Sequence, residues 1–562
     1  MTTLLDRPTA PRPSDPLGLI PVAVGSRGTQ PSVLRRAAAG RTVWIVAIGI
    51  VALLLRLTAL STAYDIFIDE ITYTNIASNI AHGHGVTLYG SPFTLHPPAA
   101  FGLYALTIVV FGLHGSTETV LFALRHVDVV LGAAICVMTY LVVERAARPR
   151  VALIAALVMA IDPLAISYDS RVMLEAPAQF AVVSMVLCLA LAARSSGARW
   201  RWLVAAGVAG VLVLWTKETF GLVVVMALLC LVVTGWAVAR REALAVVGTV
   251  LFGYAALVVA ASLTSGFGVW WHAQASGVLR LVGAQQTSGF NAPQTKVSLV
   301  SRILANWSTF AATDVVLVAG TLSALGLLWR LQPWRQRTTR DTTAELLWRL
   351  EPRIWSEDPR QPTRPNQLLT RDRVTILIAV WTVSAACYLA YATLFGTIEE
   401  QMYYITLLPC VISLCIWMAG LVASRSWRWK AAGCVFLGLI LIFDASAWVG
   451  VHSGHDDEYR RLIAWEAVHV PPRATIATTD GTSQFLLPRG VIGQWNTVAQ
   501  WQAHHVDFVV IATALVAQGY GLADGSLEQT LEHRGRLVFE ANGPSDGSLR
   551  VYDVRTMTGS VR

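Results

Sequence analysis

The segment Asp65-Ile-Phe-Ile-Asp69-Glu70-Ile-Thr-Tyr73 follows directly on the first long apolar run of the chain and sets two adjacent carboxylates, Asp69 and Glu70, at its end. The loop that contains them, about 64–119, has no Lys or Arg. Charges are costly to hold at a membrane boundary, so such a pair is a functional candidate. The bland alternative is that two acids mark where a helix meets water. Which reading holds depends on the remainder of the chain.

Working outward, the 562 residues are 54% hydrophobic and only 14% charged, with 20 Trp and a mean hydropathy of +0.54. Apolar runs of about 17–25 residues recur, each broken by Arg-rich or turn-rich stretches, as in a polytopic all-α membrane protein. Spans are expected near 43–63, 120–143, 151–167, 177–193, 203–216, 220–239, 244–264, 312–330, 374–394, 402–422 and 431–450, about eleven in all. The net charge of +8 then needs no nucleic acid to explain it. All seven cysteines fall inside apolar runs, so neither a disulfide framework nor a Cys-x-x-Cys metal site is indicated. The Ala/Val/Arg/Gly-heavy usage suits a high-GC, actinobacterial type of chain.

Basic residues order the topology. With a cytoplasmic N-terminus, the inner segments carry Arg35/Arg36/Arg41, Arg145/Arg148/Arg150, Arg194/Arg199/Arg201, Arg240/Arg241, ten Arg between 330 and 373, and Arg425/Arg428/Lys430. The opposite loops are nearly bare of them, which predicts a multi-pass plasma-membrane protein with its C-terminus outside. The expected division is a disordered N-terminus over 1–42, without a cleavable signal, and a membrane domain over 43–450. Within the latter, loop 64–119 carries surface helices at Ile71–Ala81 and Pro98–Leu113, and a charged cytoplasmic loop covers 331–373, ordered by Trp334, Trp348 and Trp355. A polar run, Gln285–Thr295, lies in another outer loop. Residues 451–562 change character, with short β-rich runs at Ala474–Thr479, Val506–Thr513, Leu537–Ala541 and Leu549–Val554 and a helix over Glu458–Val468, as in a small extracytoplasmic α/β domain. Its His455-Asp456-Asp457-Glu458 reads as the acidic start of a helix or as a cation site.

Several outer segments concentrate chemistry. Tyr168-Asp169-Ser170-Arg171-Val-Met-Leu-Glu175 and Trp215-Thr216-Lys217-Glu218 place cations against the charge bias. Such cations suit an anionic ligand such as a phosphate, which Arg grips bidentately and Lys meets as a point charge; salt bridges within each loop are the alternative. Arg125-His126-Val-Asp128 lies at the same depth and either joins the site or braces neighbouring helices. His96-Pro97-Pro98 closes the first outer loop. Glu399-Glu400-Gln401-Met-Tyr403-Tyr404 adds acids and two aromatic residues, belt anchors with a sugar-stacking alternative.

Taken in order, these motifs resemble the GT-C glycosyltransferases of the protein O-mannosyltransferase and lipid A aminoarabinose transferase type. The Asp-Glu pair, His-Pro-Pro with a surface helix, the Arg-His start of the second span, the Ser-Arg…Leu-acid loop, the Thr-Lys pair, and Gln401 to Pro409 carry the resemblance, over roughly 43–425. It implies transfer of one sugar from a polyprenyl-phosphate donor to a cell-envelope glycan, lipid or protein acceptor, with inversion. It implies Asp69 as general base or acceptor-orienting carboxylate, supported by Glu70, with Arg171 and Lys217 on the lipid phosphate and Arg125 assisting. His96, Glu175, Asp169, Tyr403 and Tyr404 become substrate contacts, with Glu175 standing where relatives more often show Asp. Glu70 and His96 are candidates for a divalent metal. The chemistry also fits the residue types alone: a carboxylate takes the acceptor's proton and cations stabilise the departing phosphate. Competing classes are a transporter or flippase for a lipid-linked or anionic substrate, which would place charges near the bilayer midplane in paired halves, and a non-catalytic envelope assembly protein.

Overall fold

A computed structural model describes residues 31–195, 199–282, 284, 307–334, 365–395, 400–424, 426–518, 523 and 525–559. Residues 45–562 form one compact unit, and 1–44 another. The expectations for 1–30, for Gln285–Thr295 and for most of loop 331–373, with Trp348 and Trp355, lie outside the described residues.

In chain order the helices begin with α1 (Pro31–Leu57) and α2 (Ile68–Ala81), followed by a two-stranded ribbon, β1 (Thr87–Leu88) and β2 (Ser91–Pro92). Then come α3 (Ala99–Phe111), α4 (Thr117–Ala146), α5 (Pro149–Ile161), α6 (Pro163–Asp169), α7 (Glu175–Arg194), α8 (Arg199–Thr216), α9 (Glu218–Thr234), α10 (Arg240–Ser265) and α11 (Phe267–Leu281). The membrane region continues with α12 (Trp307–Leu331), α13 (Pro365–Phe395), α14 (Glu400–Val422) and α15 (Trp427–Ser453). Among the described residues eight helices are long and apolar enough to cross a membrane, nine if α5 and α6 count as one bent span. The protein is a multi-pass membrane protein. The other two expected crossings are α8 and α9, of 18 and 17 residues; α8 opens on Arg199-Trp-Arg201, which lowers its apolarity. The first span ends at Leu57, short of the expected 63, because Ala59 takes a φ of 51°, outside the right-handed helical region.

The break between α5 and α6 is written in the chain. Pro163 cannot donate a helical hydrogen bond, and the Asp162 side chain accepts from the Ala165 amide at 2.9 Å, so a new helix starts there. The two segments meet at 63°. α6 therefore turns away from the axis of α5 and ends at Asp169 inside the protein.

After α15 the helix breaks at 454–457 and a new one, α16 (Glu458–His469), follows. A five-stranded sheet follows, formed by β3 (Thr475–Thr478), β4 (Val491–Gly493), β5 (Phe508–Ala512), β6 (Arg536–Gly543) and β7 (Gly547–Asp553), with α17 (Gly481–Leu486) after β3. The strand order is β4-β3-β5-β7-β6. β3 lies parallel to β4 and β5, whereas β7 runs antiparallel to β5 and β6. β5 is buried at every residue, which its uninterrupted Phe-Val-Val-Ile-Ala run anticipates.

This sheet domain rests on the segment that joins α1 to α2. The Asp456 amide donates to the Thr62 carbonyl at 2.8 Å, and the Asp65 amide donates to Asp456 Oδ2 at 3.2 Å. Arg460 reaches the Ser61 carbonyl at 3.1 Å. Tyr89, in the turn between β1 and β2, stacks on Phe485 of α17 with ring centroids 4.4 Å apart. The carboxylate pair Asp69/Glu70 thus starts a helix held between membrane helices and the sheet domain.

Candidate active site

Glu70, in the first turn of α2, is fully buried and pairs with Arg125 of α4, Nη2 to Oε2 at 2.7 Å. Arg125 Nε donates to Glu70 Oε1 at 2.9 Å. Nη1 donates to the carbonyls of Leu60 and Tyr64, at 2.9 and 3.0 Å, and Nη2 also to that of Asp65 at 3.2 Å. A guanidinium has five N–H groups, and all five are engaged. Arg125 therefore has no donor left for a phosphate, and the expected donor-binding role is corrected to one of shaping the turn that presents α2. Glu70 in turn accepts from the Phe67 amide at 3.2 Å and from the Val172 amide at 2.8 Å. With both oxygens occupied, Glu70 does not fit a metal-ligand role.

The loop from Asp169 to Glu175, between α6 and α7, is gripped from several sides. Asp169 pairs with Arg56 of α1 at 2.8 Å and accepts the Tyr404 hydroxyl of α14 at 2.6 Å. A Cβ at Gly132 of α4 would stand 2.5 Å from the Asp169 carboxylate, so only glycine allows this approach. Arg56 also donates to the carbonyls of Ala52, Ala160 and Met159, at 3.2, 3.2 and 3.3 Å. Two residues past Arg171, the Met173 carbonyl accepts the Tyr104 hydroxyl at 2.6 Å, and that oxygen also sits 2.9 Å from both oxygens of Asp128. At the far end, Glu175 pairs with Lys217, whose ammonium also donates to Gln401. Buried charges inside a membrane protein are held in partnership, and here each charged pair joins segments far apart in the chain.

Within this clamped loop Arg171 stands apart. Its guanidinium lies over the Tyr64 ring, 5.1 Å from the centroid. Its Nε is buried with no hydrogen-bond partner, and none of the described ion pairs includes Arg171. The alternative reading, salt bridges of Arg171 with Glu175 and of Lys217 with Glu218 within each loop, is not found among the described ion pairs; Glu175 pairs with Lys217 instead. Beside that pair, Glu175 Oε2 and both amide atoms of Gln179, one turn further along α7, are buried without partners.

Other expected contacts separate from the cluster. Tyr404 is 2% exposed and engaged with Asp169, so the belt and sugar-stacking readings are both corrected; the hydroxyl was needed inside, against a buried carboxylate. Tyr403, on the next position of α14, is half-buried. The half-buried His96 ring packs edge-on to Tyr73 at 6.0 Å and against Phe93 at 6.1 Å. Burial, helped by the positive charges of Lys217 and Arg280, pushes its imidazole down to about 3. Among the described residues, the one cluster of acids and histidines close enough to share a metal ion does not include His96. Asp69 is half-buried beside Glu70 in the first turn of α2. Arg56 and Tyr104 went unread in the sequence. A lone arginine inside the Leu53-Leu-Leu-Arg56-Leu57 run was the available signal, since a span rarely keeps a charge without a partner.

The family described as dolichyl-phosphate-mannose-protein mannosyltransferase matches residues 95–265. That range contains His96, Arg125, Asp169, Arg171, Glu175 and Lys217. No curated protein matches by sequence. Among solved structures, the archaeal oligosaccharyltransferase AglB from Archaeoglobus fulgidus, in complex with an inhibitory peptide and a dolichol-phosphate, superposes with a TM-score of 0.53 at 13% identity, covering 90% of this chain and 74% of that one. ArnT from Cupriavidus metallidurans, in the apo state, gives 0.52 at 13% identity, covering 93% of this chain and 99% of that one. This chain has the GT-C fold. At such identities the likeness lies in the arrangement of helices, and the residue roles rest on the geometry above.

Proposed function

We propose that the protein is an inverting glycosyltransferase that moves a single sugar from a polyprenyl-phosphate donor to a glycan, lipid or protein acceptor of the cell envelope. The observation that carries this reading is Arg171: a cation with an unpartnered buried donor, on a loop fastened by the Val172 amide to Glu70 of the helix whose first turn holds Asp69 and Glu70. The family match over 95–265 and the GT-C fold support the same class.

In this reading Asp69 takes the proton of the acceptor hydroxyl, the acceptor oxygen attacks the anomeric carbon, and the sugar–phosphate bond breaks on the opposite side. Arg171 meets the negative charge that develops on the departing phosphate, and Lys217, whose ammonium Glu175 and Gln401 hold in place, donates to the same phosphate. Glu70 and Arg125 fix the backbone that aims Asp69. The arginine bias of the loops supports a cytoplasmic N-terminus, a plasma-membrane location and a 451–562 domain outside. A transporter would place its charges midway through paired halves, whereas these charges gather at one end of the helices.

The test is transfer of radiolabelled sugar from a panel of polyprenyl-phosphate sugars, in membranes carrying wild type or Asp69→Asn. Transfer by wild type that falls by about 10²-fold or more in the variant at equal expression supports the assignment. Equal transfer by both proteins removes Asp69 from the mechanism.

A further inference from the structure

Away from Arg171's loop, the joint between the sheet domain and the membrane domain holds a second group of acids. Asp65 comes from the α1–α2 connection, Glu458 is the first residue of α16, and Asp546 lies in the turn between β6 and β7. One carboxylate oxygen from each lies within 4.8 Å of the others, and all three residues are buried. Glu458 is fully buried and its carboxylate oxygens meet no donor; its side-chain neighbour is the Asp65 carboxylate, another acid, so the pair holds together only around a shared proton or cation. Space around it has been cleared: a Cβ at Gly543 would collide with Glu458 Oε1. A carboxylate oriented into a closed joint with both oxygens unsatisfied is costly unless something of opposite charge meets it.

The surroundings do not supply that charge. Arg461 Nη2 stands 3.8 Å from Glu458 Oε1, beyond hydrogen-bond reach, and is committed to Asp457 through Nε at 3.0 Å and to the Asn542 carbonyl at 2.9 Å. Arg171 is within electrostatic reach of Asp546, but so are Asp456 and Asp480. Acids outnumber arginines here. Meanwhile the scaffold is preorganised. Asp65 Oδ1 accepts from Ile66 N at 2.8 Å and Oδ2 from Tyr459 N at 3.0 Å, which fixes the carboxylate and leaves each oxygen a second lone pair. Asp456 accepts from the Ser545 amide and hydroxyl, at 3.0 and 2.6 Å, and so anchors the turn that carries Asp546.

We propose that Asp65, Glu458 and Asp546 form a binding site for a hard divalent cation, calcium by preference, that fastens the sheet domain to the segment preceding Asp69 and Glu70. The donor set is all oxygen and all carboxylate, the chemistry of calcium, magnesium and manganese rather than of zinc or copper. Calcium bonds of about 2.3–2.6 Å set ligand oxygens on one ion no more than about 5 Å apart, in line with the spacing seen, whereas magnesium demands a tighter octahedron. The three ligands come from three segments far apart in sequence, so the ion would act as a clamp. It adjoins the proposed transfer site, since Arg171 lies within electrostatic reach of Asp546, but none of its three ligands takes part in the proposed transfer, and its test reads binding and stability without any sugar.

Purified full-length protein in detergent is stripped with EDTA and titrated with Ca2+, Mg2+ or Mn2+. Thermal unfolding is followed, and retained metal is counted after gel filtration. The expected result is a single tightly held calcium per chain and a clear rise in Tm, both lost in Glu458→Gln and in Asp546→Asn and both kept in Asp457→Asn. Should Glu458→Gln not fold, Asp546→Asn on the hairpin turn and the wild-type titration carry the decision. Wild type that retains no cation and shows an unchanged Tm overturns the proposal, since the acids would then share protons instead. Equal calcium binding by wild type and both variants also overturns it.

Discussion

The backbone amide of Val172 donates to Glu70 Oε1 at 2.8 Å, so the loop that carries Arg171 and the helix that carries Asp69 are fastened to one carboxylate. That carboxylate is neutralised in turn by a guanidinium whose five N–H groups are all spent. The two halves of the proposed reaction, proton removal and phosphate departure, therefore share a single rigid reference point.

Removing that reference is expected to be expensive. Arg125→Met leaves Glu70 buried and unpaired, a change that costs about 3–5 kcal/mol. Arg125→Lys should rescue little, because an ammonium has three donors and no fork. The double change Arg125→Met with Glu70→Leu should cost less than Arg125→Met alone. Denaturation of the four proteins in detergent checks this. Arg125→Met with wild-type stability would show that the pair contributes nothing.

Arg171→Ala is predicted to behave oppositely. Its guanidinium makes a ring contact with Tyr64 but holds no described ion pair, so stability should change by roughly 0.5 kcal/mol or less. Transfer should fall about 10²-fold or more if the group stabilises the leaving phosphate. Donor-dependence curves beside melting curves separate the two effects; a stable, fully active Arg171→Ala would place the phosphate elsewhere.

Tyr404→Phe removes the 2.6 Å hydrogen bond to Asp169 while keeping the ring. Leaving that carboxylate with Arg56 alone should cost about 1–3 kcal/mol. The expected signature is a lower melting temperature with little change in the apparent KM for donor, because Tyr404 is enclosed. A large KM change with no loss of stability would return Tyr404 to the substrate surface.

His96 gives the protein an acid-side liability. Its imidazole titrates at about 3 when folded against an ordinary 6.5. Between those values the unfolded chain binds the extra proton, so stability rises with pH across the window. The contribution is complete above about pH 6.5 and is lost as pH falls toward the folded value. Melting curves from about pH 7.5 to about 4.5 should show wild type losing more stability than His96→Gln. Parallel losses would mean that the ring is solvated.

Much of the fold was legible because a bilayer leaves few options: ten of the eleven expected crossings each fall on one helix, the eleventh on the bent pair α5 and α6, and the four β-rich runs of the C-terminal region match β3, β5, β6 and β7. β4, three residues long, carried too little pattern to be seen. The site was legible as a set of charged motifs but not as a set of pairings. Arg171 and Glu175 are four residues apart, and a pair between them stood only as the alternative to a phosphate site; Glu175 instead pairs with Lys217, 42 residues away, which local spacing does not reveal. Arg125 looked like a phosphate ligand because chain order does not reveal the carbonyls of Leu60, Tyr64 and Asp65 converging on it. Tyr404 looked interfacial for the same reason: its partner, Asp169, is 235 residues away.

That separation has a consequence for synthesis. Asp69, Glu70, Arg125, Arg171 and Lys217 are all made within the first 217 residues, but Gln401 and Tyr404, which close on Lys217 and Asp169, emerge much later. A nascent chain that has inserted only its first ten helices holds every charged group of the centre with two of its clasps missing. Assembly of the centre is thereby timed to insertion of α14, and a ribosome that stalls before that point releases a chain whose buried charges are exposed to quality control.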